Sequence, residues 1–191
     1  MYVRKTDKAI KLLRLIASQI VTVEQFNEMV ERSEPYKPKK DLLNLSLGKY
    51  AEFLNEIESS EVEGLLFLLR ELEGIKNPRK AINKMTAERF LAWTKYLKTS
   101  IERVQSHFDS IPKIPRSERV KKATAQVFDF GVYRIVDMLA CRQGITDAEA
   151  EEIPLIVAIT KMKIDAENEL IRWRVEQALL EESRSKSKKR Q

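Results

Sequence analysis

Apolar residues recur along this chain at intervals of three and four, the repeat that places them on one side of an α-helix, and no alternating stretch is long enough for a strand. The pattern predicts an all-α fold, a compact multi-helix bundle. Near the start Ile10, Leu13, Ala17 and Ile20 keep this spacing. Thr22-Val-Glu-Gln25 then reads as a capping box, the threonine accepting from a free amide and the glutamine reaching back. Two short helices are therefore expected within an N-terminal helical arm, residues 1–33.

Glu34-Pro-Tyr-Lys-Pro-Lys-Lys40 breaks the pattern, because each proline lacks an N–H and pushes its predecessor toward extended backbone. It predicts a linker over 34–40, followed by a helical domain over 41–182. Ser46 is placed to cap a helix over 47–58 bearing Leu47, Tyr50, Phe53, Leu54 and Ile57, and Ser60, boxed by Glu63, to cap the next. Leu65-Leu-Phe-Leu-Leu69 leaves no wet face for two turns, which marks the centre of the core. Gly74 suits a left-handed helix end and Asn77-Pro78 a helix start.

Thr86 opens a long helix over about 87–108 whose stripe runs Phe90, Trp93, Leu97, Ile101, Val104 and Phe108. Ile111-Pro-Lys-Ile-Pro-Arg116 is a second linker. Helical signals resume at Ser117, with Gly131 as a candidate kink, and stop at Gly144, and Thr146-Asp-Ala-Glu149 boxes a brief turn or helix. From Pro154 a long C-terminal helix carries Leu155, Ile159, Met162, Ala166, Leu170, Trp173 and Leu180 along one seam, widened by Ile164, Ile171, Val175 and Ala178. So wide a stripe faces protein. The last nine residues, 183–191, hold no apolar side chain and read as a disordered basic tail.

Composition narrows the chemistry. The net charge is +6, of which the tail carries +5, so the body is nearly neutral. No apolar run reaches the roughly 18 residues of a membrane span, and no signal peptide leads the chain. A cytoplasmic protein without membrane contact is expected. One cysteine and one histidine leave disulfides and zinc sites without enough ligands, and five scattered glycines leave no phosphate-cradling loop. No cofactor or metal is expected.

Individual candidates have ordinary explanations. His107 has no nucleophile placed near it in sequence, and Cys141, after Met138-Leu-Ala140, reads as a small buried packing residue. Asp147, Glu149, Glu151 and Glu152 lack the glycine and alternating oxygens of a calcium loop, and acids in a helix's first turn follow from its dipole. Arg184, Lys186, Lys188, Lys189 and Arg190 could contact phosphates, giving nonspecific, salt-dependent nucleic-acid binding. No aromatic residue interleaves them for base stacking. An enzyme is not expected.

Leu45-Ser-Leu-Gly-Lys-Tyr50, the helix start Met85-Thr-Ala-Glu-Arg-Phe-Leu-Ala92, Asp129-Phe-Gly-Val-Tyr133 and Val136-Asp-Met-Leu-Ala140 together carry a resemblance. Over residues 41–175 the chain resembles the tail assembly chaperones of tailed bacteriophages. The resemblance implies a non-enzymatic helical protein of the infected cell's cytoplasm that holds the apolar helices of a tape-measure protein soluble until the tail tube polymerises around it. It points to Leu47, Tyr50, Phe130, Tyr133, Leu170 and Trp173 as partner-binding residues. Two other readings use the same features: a helical virion component, such as a head or connector protein, that self-associates through the wide stripes, and a nucleic-acid adaptor that uses the basic tail.

Overall fold

The computed structural model describes residues 8–18, 21–115 and 131–188. These are all-α: no strand occurs among them, and the one isolated bridge pairs Lys8 with Thr86. The packing divides the chain into two units, Met1–Val104 and Gln105–Gln191.

The first unit holds α1 (Ala9–Ala17), α2 (Val23–Glu31), a single 3-10 turn (Leu42–Asn44), α3 (Leu47–Ser59), α4 (Glu61–Glu73), α5 (Pro78–Lys84) and most of α6 (Ala87–Asp109). Local signals set most of these boundaries. Thr22 and Gln25 form the capping box that starts α2. The Ser46 hydroxyl accepts the Lys49 amide to start α3, and Gly74 ends α4 at φ +69°. Asn77 caps α5, with Pro78 in the first turn, where a missing N–H costs nothing. One box does not close. Ser60 accepts from the Val62 amide, but Glu63 pairs with the Arg79 guanidinium instead of reaching back, and a charge-assisted bond is the stronger option.

The interior of this unit lies where the unbroken apolar run placed it. Leu66, Phe67, Leu68, Leu69 and Leu72 of α4 are buried, as are Leu47 and Phe53 of α3 and Trp93 of α6. Each such side chain contributes roughly 1.5–3 kcal/mol by leaving water. The α3–α4 hairpin is tight because Gly64 sits against Ile57. A Cβ at Gly64 would stand 3.0 Å from the Ile57 Cβ and 3.1 Å from its Cα.

The arm and linker predicted over 1–33 and 34–40 belong to this unit and are packed into it. Ala9 and Leu12 are fully buried, and the Ala9 amide donates to the Met85 carbonyl at 2.8 Å. Tyr36 meets Trp93 edge to face at 5.2 Å, and Tyr96 stacks on the same indole at 5.6 Å. The Lys40 amide satisfies the Leu72 carbonyl at the end of α4. Lys95 Nζ donates to the carbonyls of Glu31 and Ser33 at the end of α2, where a cation also suits the helix dipole. Prolines forbid a regular hydrogen-bond ladder. They do not forbid packing, so the segment is a strap rather than a spacer.

The second unit comprises the end of α6, α7 (Gly131–Gln143), α8 (Asp147–Glu151) and the 34-residue α9 (Leu155–Lys188). Gly144, at φ +64°, ends α7 and lets the Ile145 amide return to the Ala140 carbonyl. The Thr146–Glu149 box closes, with Glu149 accepting the Thr146 amide at 2.8 Å. Val132, Val136, Leu139, Ala140, Ala150, Leu155, Ala158 and Ile159 are buried. Helix α9 runs to Lys188, so the first six residues of the predicted tail continue the helix. Lys and Arg are good helix formers, and their charge suits a helix C-terminus.

Candidate interaction surface

The outer length of α9 is the most unusual surface among the described residues. Its first turns are anchored: Leu155, Ala158 and Ile159 are buried, while Met162 and Ala166 are half-buried. From α7, Arg142 reaches across to both Asp165 and Glu169, the latter at 2.9 Å. These two carboxylates hold the guanidinium above its usual range, hydrogen bonding to Asp165 contributing most. Lys161 adds a hydrogen bond to Gln143. Leu139, Arg142, Gln143, Lys161, Ile164 and Asp165 together frame a shallow depression of about 260 Å³.

Past Glu169 the helix loses this cover but keeps its apolar residues. Ile171 is 57% exposed, Val175 54%, Leu179 60% and Leu180 49%; Ile164, before Glu169, is 52% exposed. Isolated exposed apolar side chains are normal, but Ile164, Ile171, Val175 and Leu179 recur along one side of the helix over about four turns, a pattern of the kind that marks a protein contact, whereas Leu180 falls on the side of Leu170 and Trp173. Leu170 and Trp173 are half-buried.

The predicted partner-binding residues do not form one site. Leu47 is fully buried in the first unit, so it is a core residue and inaccessible to a partner; its place directly after the Ser46 cap turns it inward. Tyr50 is half-buried beside Phe53, with ring centroids 6.1 Å apart, and burial pushes its phenol above the ordinary tyrosine range. Tyr133 is 57% exposed on α7, in the second unit, which also holds Leu170 and Trp173. Phe130, Lys189 and Arg190 lie outside the described residues. Arg184, Lys186 and Lys188 lie on the backbone of α9, and their side chains are likewise outside the description.

Cys141 requires a correction. It is exposed, with its thiol 3.8 Å from the Asp137 carboxylate, because Leu139 and Ala140 take the buried positions and the next residue turns about 100° away from them. His107 is half-buried near the end of α6. Asp147, Glu149, Glu151 and Glu152 sit on and just after α8, where Glu149 is held ionised below its ordinary range chiefly by the Thr146 backbone amide.

Sequence reasoning missed one polar cluster. Glu73 and Trp93 are buried, and Glu73 Oε1 and Trp93 Nε1 have no hydrogen-bond partner among the described residues. Tyr36 lies beside them, its hydroxyl accepting from Arg89 at 3.3 Å, and burial, with Glu73 adding to it, raises its phenol above the usual range. The rings of Tyr36, Trp93 and Tyr96 fill the space against one another, which makes this a packed strap contact. Glu73 is the last residue of α4, two after Glu71, and nothing in its spacing distinguishes it from a surface glutamate.

Compared with models of protein families, with curated proteins and with solved structures, the chain matches none of them. Among the described residues no helix is long and apolar enough to cross a membrane, and no group of three or more His, Cys, Asp or Glu is placed to hold a metal ion.

Proposed function

We propose that this protein is a non-enzymatic binding factor that receives apolar helices of a partner, in the manner of the phage tail assembly chaperones its sequence resembles. The observation that supports this reading is the apolar side of α9 at Leu170, Trp173 and Leu180, half-buried or exposed beyond the anchoring contacts of Arg142. An amphipathic helix of a partner could bury that surface by side-by-side packing, reading anchors spaced by three and four. A long, helix-rich tape-measure protein has such anchors in excess. Leu170 and Trp173 supply the bulkiest apolar contacts on the outer helix, and the aromatic one would dominate the energetics.

Coexpression with a tape-measure protein of the same phage tests the reading. The partner should become soluble and co-purify with the chain, and Trp173→Glu should abolish both effects while leaving the helical circular dichroism of the free chain unchanged. No gain in partner solubility and no co-purification would refute it. Mass spectrometry of purified particles adds a second check, since a chaperone is depleted from finished virions and a structural component is not.

A further inference from the structure

The exposed residues of α9 are ordered more regularly than a generic sticky surface. Ile164, Asn168, Ile171, Val175 and Ala178 are all exposed, and they follow one another by four, three, four and three residues. That is the alternation of the two inward positions of a coiled coil: Ile164, Ile171 and Ala178 fall on the d positions, and Asn168 and Val175 on the a positions. The stripe extends over about 21 Å from Ile164 to Ala178, at 1.5 Å per residue. Its single polar member, Asn168, lies between two isoleucines. A lone asparagine at an a position is the residue that sets register and favours two strands.

We propose that α9 pairs with α9 of a second copy of this chain as a parallel, in-register, two-stranded coiled coil over residues 164–178. Charge complementarity selects this occupant. In a parallel pair each g position faces the following e position of the other strand. Glu167 and Arg172 occupy those positions, so the dimer contains two opposite-charge contacts related by its symmetry. Orientation follows from Asn168. In the parallel register the two Asn168 amides meet and hydrogen-bond to each other, whereas an antiparallel pair would set each against a d-position isoleucine and bury it without a partner.

The contacts from α7 reach this face at Ile164, which borders the depression beside Leu139 and Arg142, and leave Ile171 and Val175 exposed. Arg142 holds Asp165 and Glu169, which lie toward another sector of the helix than Ile171 and Val175. Trp173 is two residues beyond Ile171 and therefore about 200° around the helix from it. Self-pairing would leave Trp173 outward, so the inference does not depend on the function proposed above. It adds a second face to the same helix.

Sedimentation equilibrium on the full chain provides the first test, with a reversible dimer expected and Ile171→Asp expected to return it to monomer with unchanged helicity. Asn168→Ile should tighten association and admit higher oligomers, the opposite direction to a variant that merely fails to fold. In a Cys141→Ser background, oxidation should link Ile171→Cys into disulfide dimers much faster than Gln177→Cys, which lies away from the seam. A chain that stays monomeric at its highest attainable concentration overturns the proposal. So does equal cross-linking of the two cysteines, which would indicate random collision, or a dimer in which Ile171→Cys fails to link, which would indicate another orientation or another face.

Discussion

The hydroxyl of Tyr96 accepts the backbone amide of Leu42 at 3.0 Å, joining α6 to a residue 54 positions earlier in the chain. Leu42 is fully buried, so this amide has no access to water. Tyr96→Phe keeps the ring stack on Trp93 and removes only the acceptor. The variant should lose about 1–3 kcal/mol, the cost of an unsatisfied buried donor. Urea denaturation at an unchanged slope checks it, and a loss below about 0.3 kcal/mol would mean that another group satisfies the amide.

Gly64→Ala sets two effects against each other. Alanine is the better helix former by about 1 kcal/mol, but its Cβ would press on the Ile57 backbone at 3.1 Å. Overpacking of this kind costs about 1–3 kcal/mol, so net destabilisation is expected. Ile57→Gly, which removes the Cβ that would stand 3.0 Å away, should relieve it in part. A double-mutant cycle measures the coupling, and additive effects would show that the two helices are not in tight contact.

Arg142→Met tests the tie between α7 and α9. The guanidinium side chain is 39% exposed, so solvent screening limits its contribution to about 1 kcal/mol or less. The wild type should lose more stability at high salt than the variant, because only the former has this ion-pair cluster to screen, the other ion pairs being common to both. Equal salt responses would remove the cluster from the account.

Tyr50 predicts an alkaline limb. Its folded-state pKa is raised by burial, so the folded protein holds the phenolic proton more tightly than the unfolded chain does. The stabilisation is fully present below the unfolded tyrosine pKa and is lost as pH rises through the folded one. Tyr50→Phe should lessen the loss of stability above about pH 10. Thermal melts between neutral and strongly alkaline pH compare the two proteins.

Cys141 should react with a thiol reagent in the native protein at the rate of an accessible cysteine, reaching one equivalent without denaturant. A reaction that required unfolding would return it to the interior.

How much of this was legible in the sequence depended on whether the cause was local. Thr22 with Gln25, Thr146 with Glu149, Gly74 and Asn77-Pro78 act within a few residues, and each formed where it was expected. Ser60 with Glu63 has the same local signature, yet Arg79, 16 residues away, competes for the carboxylate. Burial was legible where the apolar run was unbroken, as at Leu66–Leu69, and illegible where it turned on one helical step, as between Ala140 and Cys141. At the candidate surface, periodicity marked the width of the α9 stripe. Whether Leu47 or Leu170 could meet a partner depended on which neighbours covered each, information held only in the tertiary packing.

The strap over α6 has a practical corollary for anyone dividing the gene. A fragment starting at Asp41 would look natural, since it follows the proline-rich stretch. It would take away Tyr36, the Lys40 amide and the α2 carbonyls that Lys95 caps, leaving the Trp93 indole, the Leu72 carbonyl and the Lys95 ammonium without their complements. Limited proteolysis should accordingly spare residues 34–40 in the native chain, and the shortened fragment should aggregate where the whole protein does not.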